Sequence, residues 1–149
     1  MRYAPPQTPQ HILLIEDDPG DVVLMREALG IAGLSAQMDV VHDGEAGLDY
    51  LHQRGTYSDR PRPDLIILDL NLPLLKGDQV LHHIKTDPNL KLIPVVIMSS
   101  SAVQDDILAS YEELANSYIL KPSRFEDLVD IARSLKAFWF EVVRLPPRD

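Results

Sequence analysis

Short runs built largely of Ile, Val and Leu recur at Ile12 to Ile15, Leu65 to Leu68, Val95 to Met98 and Tyr118 to Leu120. Runs this short and this apolar suit strands buried on both faces. A weaker alternating run, Met38 to Val41, fits an edge strand, because Asp39 and His42 interrupt its apolar character. Between the runs lie segments of helical period: Gly20 to Ala32, Glu45 to Gln53, Gln79 to Thr86, Val103 to Ala115, and Arg124 to about Val143. Strands separated by helices cannot pair as hairpins, so right-handed crossovers impose a parallel sheet with helices on both faces. Five βα units predict an α/β, doubly wound three-layer sandwich with the flavodoxin-like strand order 2-1-3-4-5.

The chain of 149 residues has room for one such domain. Residues 1–10 are expected to be a flexible arm, 11–149 the domain, and 137–149 an extension of its last helix. MRYAPPQTPQ lacks the apolar core of a signal peptide and no apolar run is long enough to span a membrane, so the expected place is the cytoplasm. Without cysteine, thiolate metal sites are excluded while oxygen-ligand ions such as magnesium stay open. A formal net charge of −9 opposes binding to nucleic acid or anionic lipid.

Ligands of an open parallel sheet gather at the carboxyl ends of its strands. There the sequence sets Asp17 and Asp18 after the first strand, Asp69 after the third, Ser99 after the fourth and Lys121 after the fifth. Singly each has a plain structural reading. Asp18 before Pro19 is a helix N-cap followed by proline at N1; Asp69 suits a turn, and Ser99 a linker. Together they form a cluster. Two carboxylates about 4 Å apart repel by roughly 4 kcal/mol at an effective dielectric near 20, so the group calls for a cation, and magnesium takes such oxygen ligands. A carboxylate held there can attack a phosphoryl group while lysine and metal spread its charge.

ILLIEDDP, LIILDLNLP, PVVIMSSS and YILKP, in this order and spacing, resemble the signature segments of response-regulator receiver domains. The resemblance runs from His11 through nearly all the chain. It implies Asp69 as phosphoacceptor, Asp18 as a direct Mg2+ ligand with Asp17 acting largely through water, and the Asn71 backbone carbonyl as a further ligand. It also implies Ser99 as the switch hydroxyl with Ser100 beside it, Lys121 as the phosphate's partner, Tyr118 as an aromatic that moves on activation, and a cis peptide before Pro122. YLHQRGTYSDRPRPDLIILDLNLP, IKTDPNLKLIPVV and FWFEVVRLP resemble, more narrowly, the small regulators that pair with bacterial phytochromes. The expected partner is therefore a sensor histidine kinase, a bacteriophytochrome. The expected role is a switch rather than an enzyme, with self-dephosphorylation as its only turnover.

The competing readings are a receiver-like scaffold that is never phosphorylated and a magnesium-dependent aspartyl-phosphate phosphatase. The scaffold usually lacks an acid or the lysine, and the phosphatase needs a second acid where this chain has Asn71. His82 and His83, adjacent on a helix, point about 100° apart and read as solvated surface, while His11, His42 and His52 show no partner spacing. At the C-terminus, Phe125, Leu128, Val129, Ala132, Leu135, Trp139 and Val142 define a face toward the sheet. Ile131, Leu135, Phe138 and Val142 trace a second stripe, and Phe140 adds to it. The surplus predicts a homodimer through Ile131, Leu135, Phe138, Trp139, Phe140 and Val142, unless the arm or the chain end folds over it.

Overall fold

The computed structural model describes residues 10–146. Five parallel strands, β1 (His11–Ile15), β2 (Gln37–Val41), β3 (Leu65–Leu68), β4 (Val95–Ser99) and β5 (Ser117–Leu120), form one sheet in the order β2-β1-β3-β4-β5. Helices α1 (Pro19–Ile31), α2 (Gly44–Leu51), α3 (Gly77–Thr86), α4 (Gln104–Glu112) and α5 (Phe125–Leu135) alternate with them. This is the flavodoxin-like α/β arrangement expected, and the weak strand Gln37–Val41 does lie at an edge. Gln10 is buried and its carbonyl accepts the Gln37 N–H at 2.9 Å, so the chain is already part of the ladder there. The rest of the expected arm, residues 1–9, falls outside the described residues.

Strand alternation divides the core in two. Ile12, Leu14, Leu65, Ile67, Val96 and Met98 face the layer of α1 and α5; Leu13, Ile15, Ile66, Leu68, Val95 and Ile97 face that of α2 and α3. With both faces covered, nearly every side chain of β1, β3 and β4 is buried. β5 is different: Ser117, Tyr118 and Ile119 are half-buried and Leu120 is exposed. The adjoining α4 buries only Ser110 among its residues and leaves Leu108 and Tyr111 exposed.

The last helix departs from the regular period expected of it. After Leu135 it widens into a π-helical segment, Lys136–Val142, closed by a Val143 N–H bond to the Phe138 carbonyl at 2.8 Å. More residues per turn re-aim the aromatics. Trp139 and Phe140 thereby join the core beside Leu135, with Val143 and Leu145 packed against it. Neither is free for the expected interface: Trp139 keeps to the sheet-facing stripe and Phe140 joins it, while the chain end covers part of the apolar surplus. Of the three aromatics in this segment, Phe138 stays outside, 53% exposed, with Ile131 half-buried nearby. The Val142 side chain lies outside what is described.

Gly77, the first residue of α3, sits where any side chain would strike the loop after β3: an added Cβ would run into the Asp69 carbonyl and lie 2.5 Å from Leu70 Cα. Gly77→Ala is expected to destabilise by about 1–3 kcal/mol, since backbone must move. Gly30→Ala, on α1 with nothing within 4 Å of the new methyl, is expected to stabilise by about 0.5–1 kcal/mol. Urea unfolding of the two variants checks both signs.

Candidate functional site

Backbone ladders carried one residue past the strands assemble the rim. Glu16 N–H bonds the Val41 carbonyl at 3.0 Å, Asp69 N–H the Ile15 carbonyl at 3.1 Å, and Lys121 N–H the Ser99 carbonyl at 2.8 Å. These bonds set the strand ends at a common height, so Glu16, Asp69 and Lys121 meet although they are up to 105 residues apart, with Ser99 at the end of β4 between β3 and β5.

Lys121 is the hub. Its Nζ donates to Glu16 Oε2 at 2.6 Å, Asp21 Oδ2 at 2.9 Å and Asp69 Oδ2 at 3.0 Å. Burial works against its charge, but the bonds it donates to the three carboxylates outweigh that and hold its pKa above the ordinary lysine range. Burial likewise pushes the Glu16 carboxyl up to about 7; the bonds from Lys121 and the Asp18 N–H oppose the rise and the Asp69 charge adds to it. One ammonium thus faces a surplus of acid.

The structure moves the predicted acidic pair by one position. The carboxylates that approach one another within 4.8 Å are those of Glu16, Asp17 and Asp69. Asp18 is turned away: its Oδ1 accepts the Gly20 N–H at 2.8 Å and, more weakly, the Asp21 N–H at 3.4 Å, capping α1 ahead of Pro19. The physical reason is the pleat. Glu16 continues β1 and points into the rim with only 3% of its surface exposed, whereas Asp18 has left the ladder and serves the orphan N–H groups of the helix. Glu16 was missed in the sequence because the run Glu16-Asp17-Asp18 allows two registers and only the strand end selects one; Asp21, in the first turn of α1, joins the rim only through the distant Lys121.

The other candidates lie around this centre. Asn71 donates its N–H to Asp69 Oδ1 at 3.0 Å and its side chain reaches Ser100 Oγ at 3.5 Å. Ser99 is fully buried, and its Oγ accepts the Ser101 N–H at 3.2 Å, a bond that does not use the hydroxyl hydrogen. Tyr118 is half-buried and donates to the Ser101 carbonyl at 2.8 Å. Ser101 therefore joins the Ser99 hydroxyl to the β5 aromatic. Pro122 follows the hub directly. At the far side of the molecule, His82 is exposed and 2.8 Å from Glu113, as a surface histidine would be. His83 is half-buried against His52, a pairing that spacing along the chain gave no reason to expect.

The response regulator receiver domain family matches residues 12–133. The chain belongs to this family. It is a receiver domain of a two-component system, and its relatives sharpen that statement. Response regulator Rcp1 of Synechocystis is 42% identical over 138 residues, covering 93% of this chain and 94% of that one. The crystal structure of its Mn(2+)-bound form superposes with a TM-score of 0.87. The phosphorylated cyanobacterial phytochrome response regulator RcpA, at 42% identity, superposes with 0.88 over 93% of this chain and 99% of that one. Response regulator RPA3017, in red light signaling of R. palustris, is 33% identical over the same share of this chain and 99% of its own, with a TM-score of 0.88. A receiver domain related to phytochrome response regulators, with an acidic rim suited to a divalent metal, is what the fold, the site and these likenesses have in common.

The shifted register has a direct check. Asp18→Ala is expected to cost about 1 kcal/mol of stability through loss of the cap while leaving magnesium affinity essentially unchanged. Asp17→Asn should weaken magnesium binding by more than about tenfold, because one of the three converging carboxylates loses its charge. Calorimetric titration with magnesium, beside thermal unfolding, separates the two roles.

Proposed function

We propose that Asp69 accepts a phosphoryl group from a phosphohistidine on a sensor histidine kinase of the phytochrome type, and that the modified domain signals by a change of surface. The observation that carries this is the convergence of Asp69 with Glu16, Asp17 and Lys121. In the transfer, a carboxylate oxygen of Asp69 attacks phosphorus, the bond from phosphorus to the histidine nitrogen breaks, and the freed imidazole nitrogen is left to take up a proton. An acyl phosphate remains. Lys121 is already bonded to Asp69 Oδ2 and can follow the charge onto the phosphoryl oxygens.

The donor set fits magnesium. Glu16, Asp17 and Asp69 offer oxygens alone, as a hard divalent ion prefers, and the Asn71 carbonyl is two residues from Asp69. These residues would hold the ion, which supplies neutralisation of the acids and of the incoming phosphate. In this register Asp18 supports the helix and takes no part in the metal's ligand set.

Ser99 has a hydroxyl hydrogen to offer a phosphoryl oxygen. Drawing it toward Asp69 strains the Ser99–Ser101–Tyr118 chain of bonds and so acts on β5. Within the face of α4, β5 and α5, α4 and β5 are the thinly packed part of the molecule, where two arrangements differ least in energy. Such a domain is a switch whose only turnover is loss of its own phosphoryl group. We place it in the cytoplasm, free of nucleic acid, which its acidity disfavours. A scaffold reading is less well supported, since every acid of the rim and the lysine are present.

Intact mass measured after incubation with magnesium and a small acyl-phosphate donor tests the reading. One phosphoryl group should be gained and lost again in mild base. Asp69→Asn should gain none; unchanged labelling of that variant would falsify the assignment. Lys121→Ala should still be labelled, though more slowly, with a weaker change in hydrogen exchange across α4 and β5.

A homodimer is the proposed assembly, now with a narrower interface. A groove of about 640 Å³ is lined by Ile119, Ile131, Leu135, Phe138 and Trp139, among others, and the exposed Phe138 ring, 5.2 Å from Trp139, forms its rim. Aromatic residues at such a site favour a symmetric contact. Sedimentation of the full chain at tens of micromolar should show a dimer that Phe138→Asp dissociates without loss of fold. A monomeric wild type, with and without phosphorylation, would dispose of it.

A further inference from the structure

Helices that follow strands of a parallel sheet run back against them, so α2 and α3 end together at the pole opposite the acidic rim. His52 is the C-cap of α2; His83 is in the last turn of α3 and Asp87 is its C-cap. His83 and Asp87, four residues apart, share a helix face. The Nε2 atoms of His52 and His83 are 3.0 Å apart, with the rings edge to face at 85°. Asp87 Oδ2 lies 3.7 Å from His52 Nε2, and one ligand atom from each residue falls within 4.8 Å of the others. None of the three is fully exposed.

We propose that His52, His83 and Asp87 form a second metal site, for a zinc-class divalent ion, that ties the end of α2 to the end of α3. Two imidazole nitrogens that face each other can share one proton, or they can share a cation that uses both lone pairs. Zinc bonds of about 2.0–2.1 Å at tetrahedral angles set their donors about 3.4 Å apart, and the observed 3.0 and 3.7 Å bracket that separation. The carboxylate is pre-set: Asp87 Oδ1 accepts the Asn89 N–H at 2.7 Å, which leaves Oδ2 for the histidine side. His52 is held as well, because its N–H bonds the Leu48 carbonyl at 2.9 Å and Gln53, at φ +55°, turns the chain sharply out of the helix. Two neutral imidazoles and one carboxylate leave a divalent ion with one net positive charge and a fourth position for water. Nitrogen donors favour zinc over magnesium, whereas the all-oxygen rim suits magnesium and is filled by it when magnesium is in large excess.

The test uses the full chain without an affinity tag, stripped of metal by chelator and titrated with zinc chloride in millimolar magnesium. One zinc ion should bind per chain, and Asp69→Asn and His82→Gln should bind it equally well. His83→Gln should lose at least about tenfold in affinity, as should Asp87→Asn, which keeps the Oδ1 acceptor for Asn89 and so the local fold. In the wild type, zinc should shift the Nε2 resonances of His52 and His83 in proton–nitrogen spectra and leave those of His82 in place. Zinc affinity unaltered by His83→Gln and Asp87→Asn, binding lost with Asp69→Asn, or spectra in which His52 and His83 do not move would each overturn the site.

Discussion

One ammonium holds the rim together. Lys121 reaches Glu16 from β1, Asp21 from the first turn of α1 and Asp69 from the end of β3, so a single cation joins three segments that have no covalent reason to be near one another. It is half-buried, Glu16 and Asp69 are almost wholly so, and their desolvation is bearable only because charges of opposite sign are in hydrogen-bond contact. Burial pushes the Glu16 carboxyl up to about 7 even against its bond from Lys121, and the Asp69 charge adds to the rise. A site that is one cation short binds a cation or a group that brings one, and the same deficit is what couples the rim to its ligands.

The two flanks of the sheet are built for different tasks. On the side of α2 and α3 the core is dense: Val80, Leu81 and Ile84 are fully buried, Gly77 allows α3 to lie against the Asp69 loop, and His52 meets His83 at the far pole. On the side of α4 and β5 little apolar surface is covered and Tyr118 bridges to Ser101 through one hydrogen bond. The stiff flank keeps Asp69 in position. The thin one has less packing energy to lose when it rearranges, which is where a receiver domain can convert a local charge change into a surface change.

Some of the site was readable from residue order and some was not. Asp69, Ser99 and Lys121 each follow an apolar run whose end is unambiguous, so their common rim could be inferred before any coordinates. Asp18 could not be assigned in the same way, because three consecutive acids follow β1 and both roles, ligand and cap, suit an aspartate before proline. Glu16 is chosen for the rim by the ladder bond to Val41, which sets the side of the sheet on which it emerges. Trp139 was already on the sheet-facing stripe, but Phe140 was not. The π-helical turn changes the angle per residue and brings Phe140 into the core beside Trp139, and no local residue pattern announces that widening.

The order of apolar runs and helical periods was enough to determine a five-stranded parallel sheet, its strand order and the residues at the carboxyl ends, because alternation and crossover handedness leave few topologies open. Register at the ends of strands, the course of the final helix and the meeting of His52 with His83 and Asp87 were decided only by tertiary structure. Each depends on where one element stops relative to a neighbour distant in sequence, a quantity set by packing and long-range hydrogen bonds rather than by the residues that flank it.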